Sequence, residues 1–129
     1  MIEATWLPQV VFRQAGEPDL EALEWRGELI HFRRLFWQVY QNTCEGRACI
    51  WVAELPSVGI VGQVFVQFNS RRKDLADGLA RAYLYGFRVQ AAYRSGGVGS
   101  QLLIQVEQDL QSRGYRWVTL NVARKNLAA

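Results

Sequence analysis

The sequence of 129 residues has few of the side chains that crosslink a chain or hold a metal. It contains two cysteines, Cys44 and Cys49, and a single histidine, His31. Two thiols cannot staple a disulfide scaffold, and their spacing is not that of a C-x-x-C zinc pair. The expectation is two buried, reduced thiols and no metal site. Only three prolines occur, and no linker or low-complexity tract divides the chain, so one domain over residues 1–129 is expected. No apolar run approaches the ~18 residues of a membrane span. The start, Met1-Ile2-Glu3-Ala4-Thr5-Trp6, lacks a basic leader. These absences point to no membrane partner and to the cytoplasm as the default location. The net charge of +3 falls well short of the dense Lys/Arg stripe of a nucleic-acid binder, yet suits a ligand with several phosphates.

What is present is a core. Half of the residues are hydrophobic (50%), enough for a chain of this size to bury roughly two-thirds of its unfolded surface. Val10-Val11-Phe12, after Pro8, reads as a first or edge strand. Glu17-Pro18-Asp19-Leu20 offers a turn and a helix start, with Asp19 as a cap. Leu29, Ile30, Phe32, Leu35, Phe36, Val39 and Tyr40 recur at helical steps, predicting an amphipathic helix over 28–40 closed by Asn42 and Gly46. Residues 48–54 and 59–69 read as strands joined by a hairpin at Pro56-Ser57. In the second, Val64, Val66 and Phe68 face one way and Gln63, Phe65 and Gln67 the other. Arg71-Arg72-Lys73 reads as a solvated loop rather than a phosphate contact. A strand over 82–89, a glycine cluster, a helix over 99–113 and a strand over 115–122 follow. Val98, Leu102, Leu103, Val106 and Leu110 form the buried stripe of that helix, and Gly114 sits where a left-handed cap is wanted. Strand–helix–strand implies a right-handed crossover, and with the earlier hairpin it gives a mixed sheet.

The chemistry-bearing stretch is Tyr93-Arg94-Ser95-Gly96-Gly97-Val98-Gly99-Ser100. A strand that stops at such a loop leaves the next helix's first N–H groups unpaired, and with the helix dipole they suit a phosphate. Glycine at 97 and 99 removes Cβ atoms from that approach and permits unusual φ angles. Arg94 adds charge and the Ser100 hydroxyl adds a donor. The same glycines could instead serve a plain strand-to-helix turn. Two other phosphate motifs fail here. A dinucleotide fingerprint needs a third glycine where Leu102 stands, and a P-loop needs lysine where Ser100 stands.

Arg94-Ser95-Gly96-Gly97-Val98-Gly99 does match Arg/Gln-x-x-Gly-x-Gly/Ala, and in this it resembles the pyrophosphate signature of the GNAT superfamily of N-acetyltransferases. The resemblance extends from about residue 83 to 122, through Gly86-Phe87-Arg88-Val89, the Tyr-Arg pair, Leu102-Leu103 and Gly114-Tyr115. It implies an α/β (α+β) fold, a mixed and mostly antiparallel sheet flanked by helices, with acetyl-CoA as cosubstrate and an amine as acceptor. The amides of Gly97, Val98, Gly99 and Ser100 would hold the pyrophosphate, with Arg94, Ser95 and Gly96 opening the loop. The edge from Phe87 through Arg88 to Val89 would pair with the pantetheine arm. Two central strands would splay apart there, and Gly86 would suit a bulge beside the gap. An amide near Val89 would face the thioester carbonyl as an oxyanion donor.

The sequence departs from the family pattern twice. Where some members carry a glutamate base, this chain has Tyr83. Glu54 could serve as the base through water or be a surface carboxylate at the hairpin, and Tyr85 could take part in catalysis or simply pack. Glu21, Glu24 and Glu28 could attract a cationic amine or form a solvated face. Trp25, Phe32, Phe36 and Trp37 could line a pocket but read as core. Residues 121–129 look like the entry to the family's next helix, near Asn126, with the usual C-terminal helix and strands lacking. That leaves the last strand as an open edge and predicts a homo-oligomer or poor solubility. The expected function is acetyl transfer to a primary amine of a small molecule or protein, the alternative being a non-catalytic acyl-CoA-binding or interaction module.

Overall fold

A computed structural model describes residues 5–120 and 124–126. Its six-stranded sheet has the order β1 (Val11–Gln14), β2 (Ala48–Leu55), β3 (Gly59–Gln67), β4 (Arg81–Val89), β5 (Trp117–Thr119) and β6 (Arg124–Asn126). Every neighbouring pair is antiparallel except β4 and β5, which run parallel. The mixed, mostly antiparallel sheet with flanking helices is the architecture expected from the sequence.

Alternation along β3 decides how the layers stack. Val64, Val66 and Phe68 pack with Leu102, Val106 and Leu110 of helix α2 (Val98–Ser112) on one face. Phe65 packs with Phe36 and Val39 of helix α1 (Arg33–Cys44) on the other. Both faces of β3 are therefore covered, which is why its β-branched and aromatic residues run almost unbroken. The buried stripe of α2 steps by four, through Val98, Leu102, Val106 and Leu110, and Gly114 ends the helix with φ +89°. Tyr115 N–H closes that end on Leu110 O at 3.0 Å.

Before β2 the chain differs from the reading of its sequence. Residues Glu17–Asp19, Ala22–Glu24 and Ile30–Phe32 are separate 3-10 turns, and the α-helix begins only at Arg33. Over 28–32 the helical spacing therefore belongs to no α-helix, and of its apolar residues Leu29 is buried whereas Ile30 is 51% exposed. Trp25 and Arg26 (φ 50° and 58°) precede Gly27 (φ 92°) in left-handed conformation. Such a run breaks helical geometry outright. Asp19 does cap, accepting the Gly16 N–H at 2.8 Å and also a bidentate pair from Arg13.

Two further expectations change. Cys49 is buried but Cys44 is exposed, and burial pushes the Cys49 thiol up to about 12. Cys44 is then the thiol that reagents meet first. At the other end, residues 124–126 form β6 against β5, with Thr119 paired to Arg124 and Trp117 to Asn126. The helix entry expected near Asn126 is thus a strand, and β5 is paired on both sides rather than left as an edge. Residues 121–123 and 127–129 of that expectation lie outside the described residues.

The loop from 68 to 80 is held by Asp77. Its carboxylate accepts the N–H groups of Leu79, Ala80 and Arg81, each at 2.9 Å. Those bonds, the Leu79 N–H first, draw the Asp77 pKa down to about 2. An unfolded aspartate titrates near pH ~3.9. Asp77 therefore stabilises the fold fully above about pH 4, and the contribution fades as pH falls toward about 2. Urea unfolding of Asp77→Asn across pH 2 to 6 should show a flatter acid limb than the parent. An unchanged limb would remove this role.

Candidate active site

The site is built where β4 leaves the sheet. Pairing with β3 runs Gln67 to Tyr83, Leu84 to Val66 and Phe65 to Tyr85, then jumps to Gln63 with Arg88. Gly86 and Phe87 are the extra length, a bulge at which Gly86 takes φ +62°. A Cβ at Gly86 would stand 2.6 Å from the Phe65 ring, so both backbone angle and space require glycine. On its other side β4 pairs with β5 only at Arg81, Ala82 and Tyr83. Among the described residues that pairing ends at Tyr83, and a gap of about 290 Å³ lies beside it, lined by Leu84, Tyr85, Gly86, Phe87, Arg88 and Leu120. The bulge expected at Gly86 is present, while residues 121–123, on which the expected splay depends, lie outside the described residues.

After Val89 the chain is anchored before it turns. Gln90 donates its backbone N–H to Val61 O at 2.8 Å and its side-chain amide to Ile60 O at 2.9 Å. The Arg94 Nε donates to Val89 O at 2.8 Å, which lays the guanidinium back over the end of β4. Gly97, with φ +97°, caps α2, and the first helical bond runs from Gln101 N–H to Gly97 O at 3.0 Å. The N–H groups of Val98, Gly99 and Ser100 come before that bond and lie outside the helix's internal pattern. Of these, Gly99 and Ser100 border a cavity of about 220 Å³ lined also by Val89, Tyr93, Arg94, Ser95 and Gly97.

The glycines divide their work differently from the expectation. A Cβ on Gly97 would point at Leu7, 3.0 Å from Cδ2. Gly97 is thus required by its left-handed backbone and by Leu7, not by clearance for an oxygen. Gly99 is the residue whose missing Cβ lets α2 lie close to β4, since an added Cβ would touch Phe87 at 3.4 Å and Val89 at 3.8 Å. Gly96 is buried, and Val98 packs inward with Leu7, Val10, Ala53, Leu55 and Val61. Those two residues fix the loop, while Arg94, Ser95 and Ser100 are exposed around it.

The candidate catalytic side chains are not all brought together. Tyr83 and Tyr85 are stacked on the α1 face with ring centroids 5.1 Å apart, and Tyr85 meets Phe65 edge-on at 5.3 Å. Burial, followed by the nearby Tyr83, pushes the Tyr85 hydroxyl up to about 12. Glu54 stands on β2, opposite Ile60 of β3, and its Oε1 accepts the Arg13 Nε at 3.1 Å. Arg13 also holds Asp19, so Glu54 belongs to a surface ion-pair network. Of the acidic helix candidates, Glu24 takes two bonds from Arg33 at 2.9 Å, which lower its pKa. Trp25 and Phe36 are core, whereas Trp37 is 44% exposed.

One pair escaped the sequence reading. Gln63 is fully buried at 0% exposure, yet its Nε2 and Oε1 have no hydrogen-bond partner among the described residues. The Nη1 of Arg88, its register partner on β4, is buried and unpartnered as well. An unsatisfied buried amide costs about 1–3 kcal/mol. The sequence signal was Gln63 inside an apolar strand run, pointing with Phe65. Among the described residues no group of three or more His, Cys, Asp or Glu is placed to hold a metal ion, and no helix is long and apolar enough to cross a membrane.

A mixed, mostly antiparallel sheet with a bulge in a central strand and a glycine-capped helix start beside it is the architecture of an acyl-transferring class. Residues 14–129 match the Acetyltransferase (GNAT) family. The chain belongs to that family. Solved structures agree in fold. A transcriptional regulator from Bacillus halodurans C-125 is 25% identical with TM-score 0.65, over 88% of this chain and 82% of that one. A predicted acetyltransferase from Clostridium acetobutylicum, solved with acetyl-CoA, is 17% identical with TM-score 0.65, over 90% and 82%. AAC(6')-Iy, solved with the bisubstrate analogue CoA-S-monomethyl-acetylneamine, is 19% identical with TM-score 0.66, over 88% and 80%. No curated protein matches the sequence.

Proposed function

We propose that the chain binds acetyl-CoA at the start of α2 and transfers its acetyl group directly to a primary amine. The observation that carries this reading is the cavity of about 220 Å³ between the α2 N-terminus and the end of β4, bordered by Arg94 and Gly99. The amides of Val98, Gly99 and Ser100, with the positive end of the helix, supply donors for a diphosphate. Arg94, tied to Val89 O, adds a charge beside them. The β4 edge from Phe87 to Val89, unpaired with β5 among the described residues, offers N–H and C=O groups to an amide-bearing arm. An N–H of that stretch is then placed to receive the negative charge that builds on the thioester oxygen as the amine attacks. The C–N bond forms, the C–S bond breaks, and the amine gives one proton to water while the thiolate takes one up.

Tyr85 is a weak candidate for that last proton. At about 12 its hydroxyl lies well above a thiol near ~8.5, so donating to the thiolate runs uphill. Tyr85→Phe should therefore lower kcat by less than about tenfold, against the ~10²-fold or more of a working general acid. A larger fall would restore Tyr85 to the chemistry. Glu54, engaged by Arg13, is offered as a base only through water. These same two observations support a second reading, in which the fold binds acyl-CoA without turning it over.

The test has two stages. Acetyl-CoA and CoA should each raise the melting temperature, and thiol release with a panel of amines then separates transfer from binding alone. The release assay belongs on a Cys44→Ser background, because exposed Cys44 would react with the thiol reagent. Absence of any shift with either nucleotide would end both readings.

A further inference from the structure

A second pocket lies at the opposite end of β4 from the start of α2. Gln67 pairs with Tyr83 near the beginning of that strand, whereas the cavity assigned to acetyl-CoA borders Val89 at its end. At the ~3.3 Å rise of a strand the two are on the order of 20 Å apart. The second pocket, of about 610 Å³, is lined by Arg47, Gln67, Asn69, Ser70, Arg71 and Lys73. Taken alone, Arg71-Arg72-Lys73 reads as a solvated run. The fold changes that by bringing in Arg47 from the turn after α1. Its C=O accepts the Phe68 N–H at 2.7 Å, which sets residue 47 beside the end of β3. The facing rim is held as well. Gln67 Nε2 donates to Asn69 O at 2.7 Å, the Ser70 N–H to Ala76 O at 3.1 Å, and the Gly78 N–H to Phe68 O at 2.8 Å.

Charge around this pocket is unevenly matched. Arg47 is engaged by Glu45 and Arg72 by Asp74, while the Asp77 carboxylate is taken up by three backbone N–H groups. Arg71 and Lys73 pair with no carboxylate among the described residues. Lys73 Nζ donates only to Asn69 Oδ1 there. Arg47, Arg71 and Lys73 are all exposed, so a ligand reaches them from solvent. Every lining residue is polar or charged, which leaves no ring to stack a base and no aliphatic wall to seat a lipid chain. The volume falls in the range of small-molecule sites, roughly 300–1,000 Å³. Such a donor-rich space suits an anion carried on a hydrophilic body. We propose that Arg47, Arg71 and Lys73 form a second anion site, for the phosphate monoester of a sugar or similar polyol. Arg71 presents a fork to the phosphate oxygens, Lys73 supplies a point charge, and the Gln67, Asn69 and Ser70 side chains meet hydroxyls. None of these residues borders the start of α2, so the site stands apart from the acetyl-transfer reading.

The experiment titrates glucose 6-phosphate, inorganic phosphate and glucose into the full chain at low salt, with and without CoA, following backbone amide NMR shifts. Glucose 6-phosphate should move the amides of residues 69–73, with the same dissociation constant whether or not CoA is present. It should bind about threefold or more tighter than inorganic phosphate, and glucose should not register. Arg71→Gln and Lys73→Gln should each weaken it about fivefold, and the double variant about twentyfold, as partly exposed charge-assisted contacts do. Arg72→Gln removes the same unit charge from the same loop but not from the pocket, so its effect should stay within about twofold. An Arg72→Gln loss as large as that of Arg71→Gln shows a diffuse field and overturns the proposal. So does equal affinity for glucose 6-phosphate and inorganic phosphate, or shifts confined to residues 97–100. A ten-nucleotide RNA that binds more tightly through Arg71 and Lys73 overturns it in favour of a nucleic-acid face. A chain that shows this site yet no response to acetyl-CoA keeps the site and loses the transfer reading.

Discussion

Replacing Gly86 with valine should destabilise the fold by about 2–5 kcal/mol, the sum of overpacking and a forced left-handed backbone. The first β-carbon of the new side chain would lie 2.6 Å from Phe65 Cδ2, inside contact distance. Phe65 has nowhere to go: it is fully buried, with Phe36 edge-on at 5.7 Å and Tyr85 at 5.3 Å. The backbone is no freer, because φ +62° is poorly tolerated by a β-branched residue. Gly46→Ala is the control. It has φ +76° but nothing within 4 Å of an added Cβ, so it should cost only about 1 kcal/mol. Urea unfolding of the two variants separates backbone strain from collision. If both lose the same small amount, the bulge has slack that the packing denies.

Gly99→Trp should raise the dissociation constant for acetyl-CoA by about 100-fold or more, a loss of roughly 2.7 kcal/mol, while barely lowering the melting temperature. Gly99 lies in the first turn of α2 with no φ in the left-handed range, so a side chain is tolerated by the backbone. It would project between Phe87 and Val89 into the space bordered by Arg94 and Ser100. Gly97 makes the contrast. A side chain there strains a φ of +97° and pushes on Leu7, so its variants should lose stability first and ligand second. Isothermal titration paired with melting curves tells the two apart. A Gly99→Trp chain that binds acetyl-CoA as the parent does would place the cosubstrate elsewhere.

The stretch from β4 to β5 was legible because its signals are local. Strand, loop, helix and cap each announce themselves within a few residues, and Gly86, Gly97 and Gly114 mark positions where positive φ is needed. In the α1 region the helix was legible from Arg33 onward, but its start was not. Leu29 and Phe36 are both buried, as their spacing demanded, yet a 3-10 turn and an α-helix present similar faces over so few residues. The left-handed conformations of Trp25 and Arg26 had no sequence signal beyond the following Gly27. β6 was missed because Arg124-Lys125-Asn126 has no strand propensity of its own; its pairing to β5 is a tertiary choice. Glu54 shows the same limit for the site. A carboxylate at a strand end is visible in sequence, but its capture by Arg13, distant along the chain, is not.

The spatial order of the strands repeats their order along the chain, and this has a kinetic side. The β2–β3 hairpin closes over the short turn between Leu55 and Gly59, so it needs the least loop entropy and is the natural nucleus. β4 adds to it across a modest loop. The parallel register of β4 with β5 must wait for the whole α2 crossover to be spanned. The two strands beside the gap are therefore joined by a late contact, as is β1 with β2, and the β2–β3–β4 meander can assemble before either.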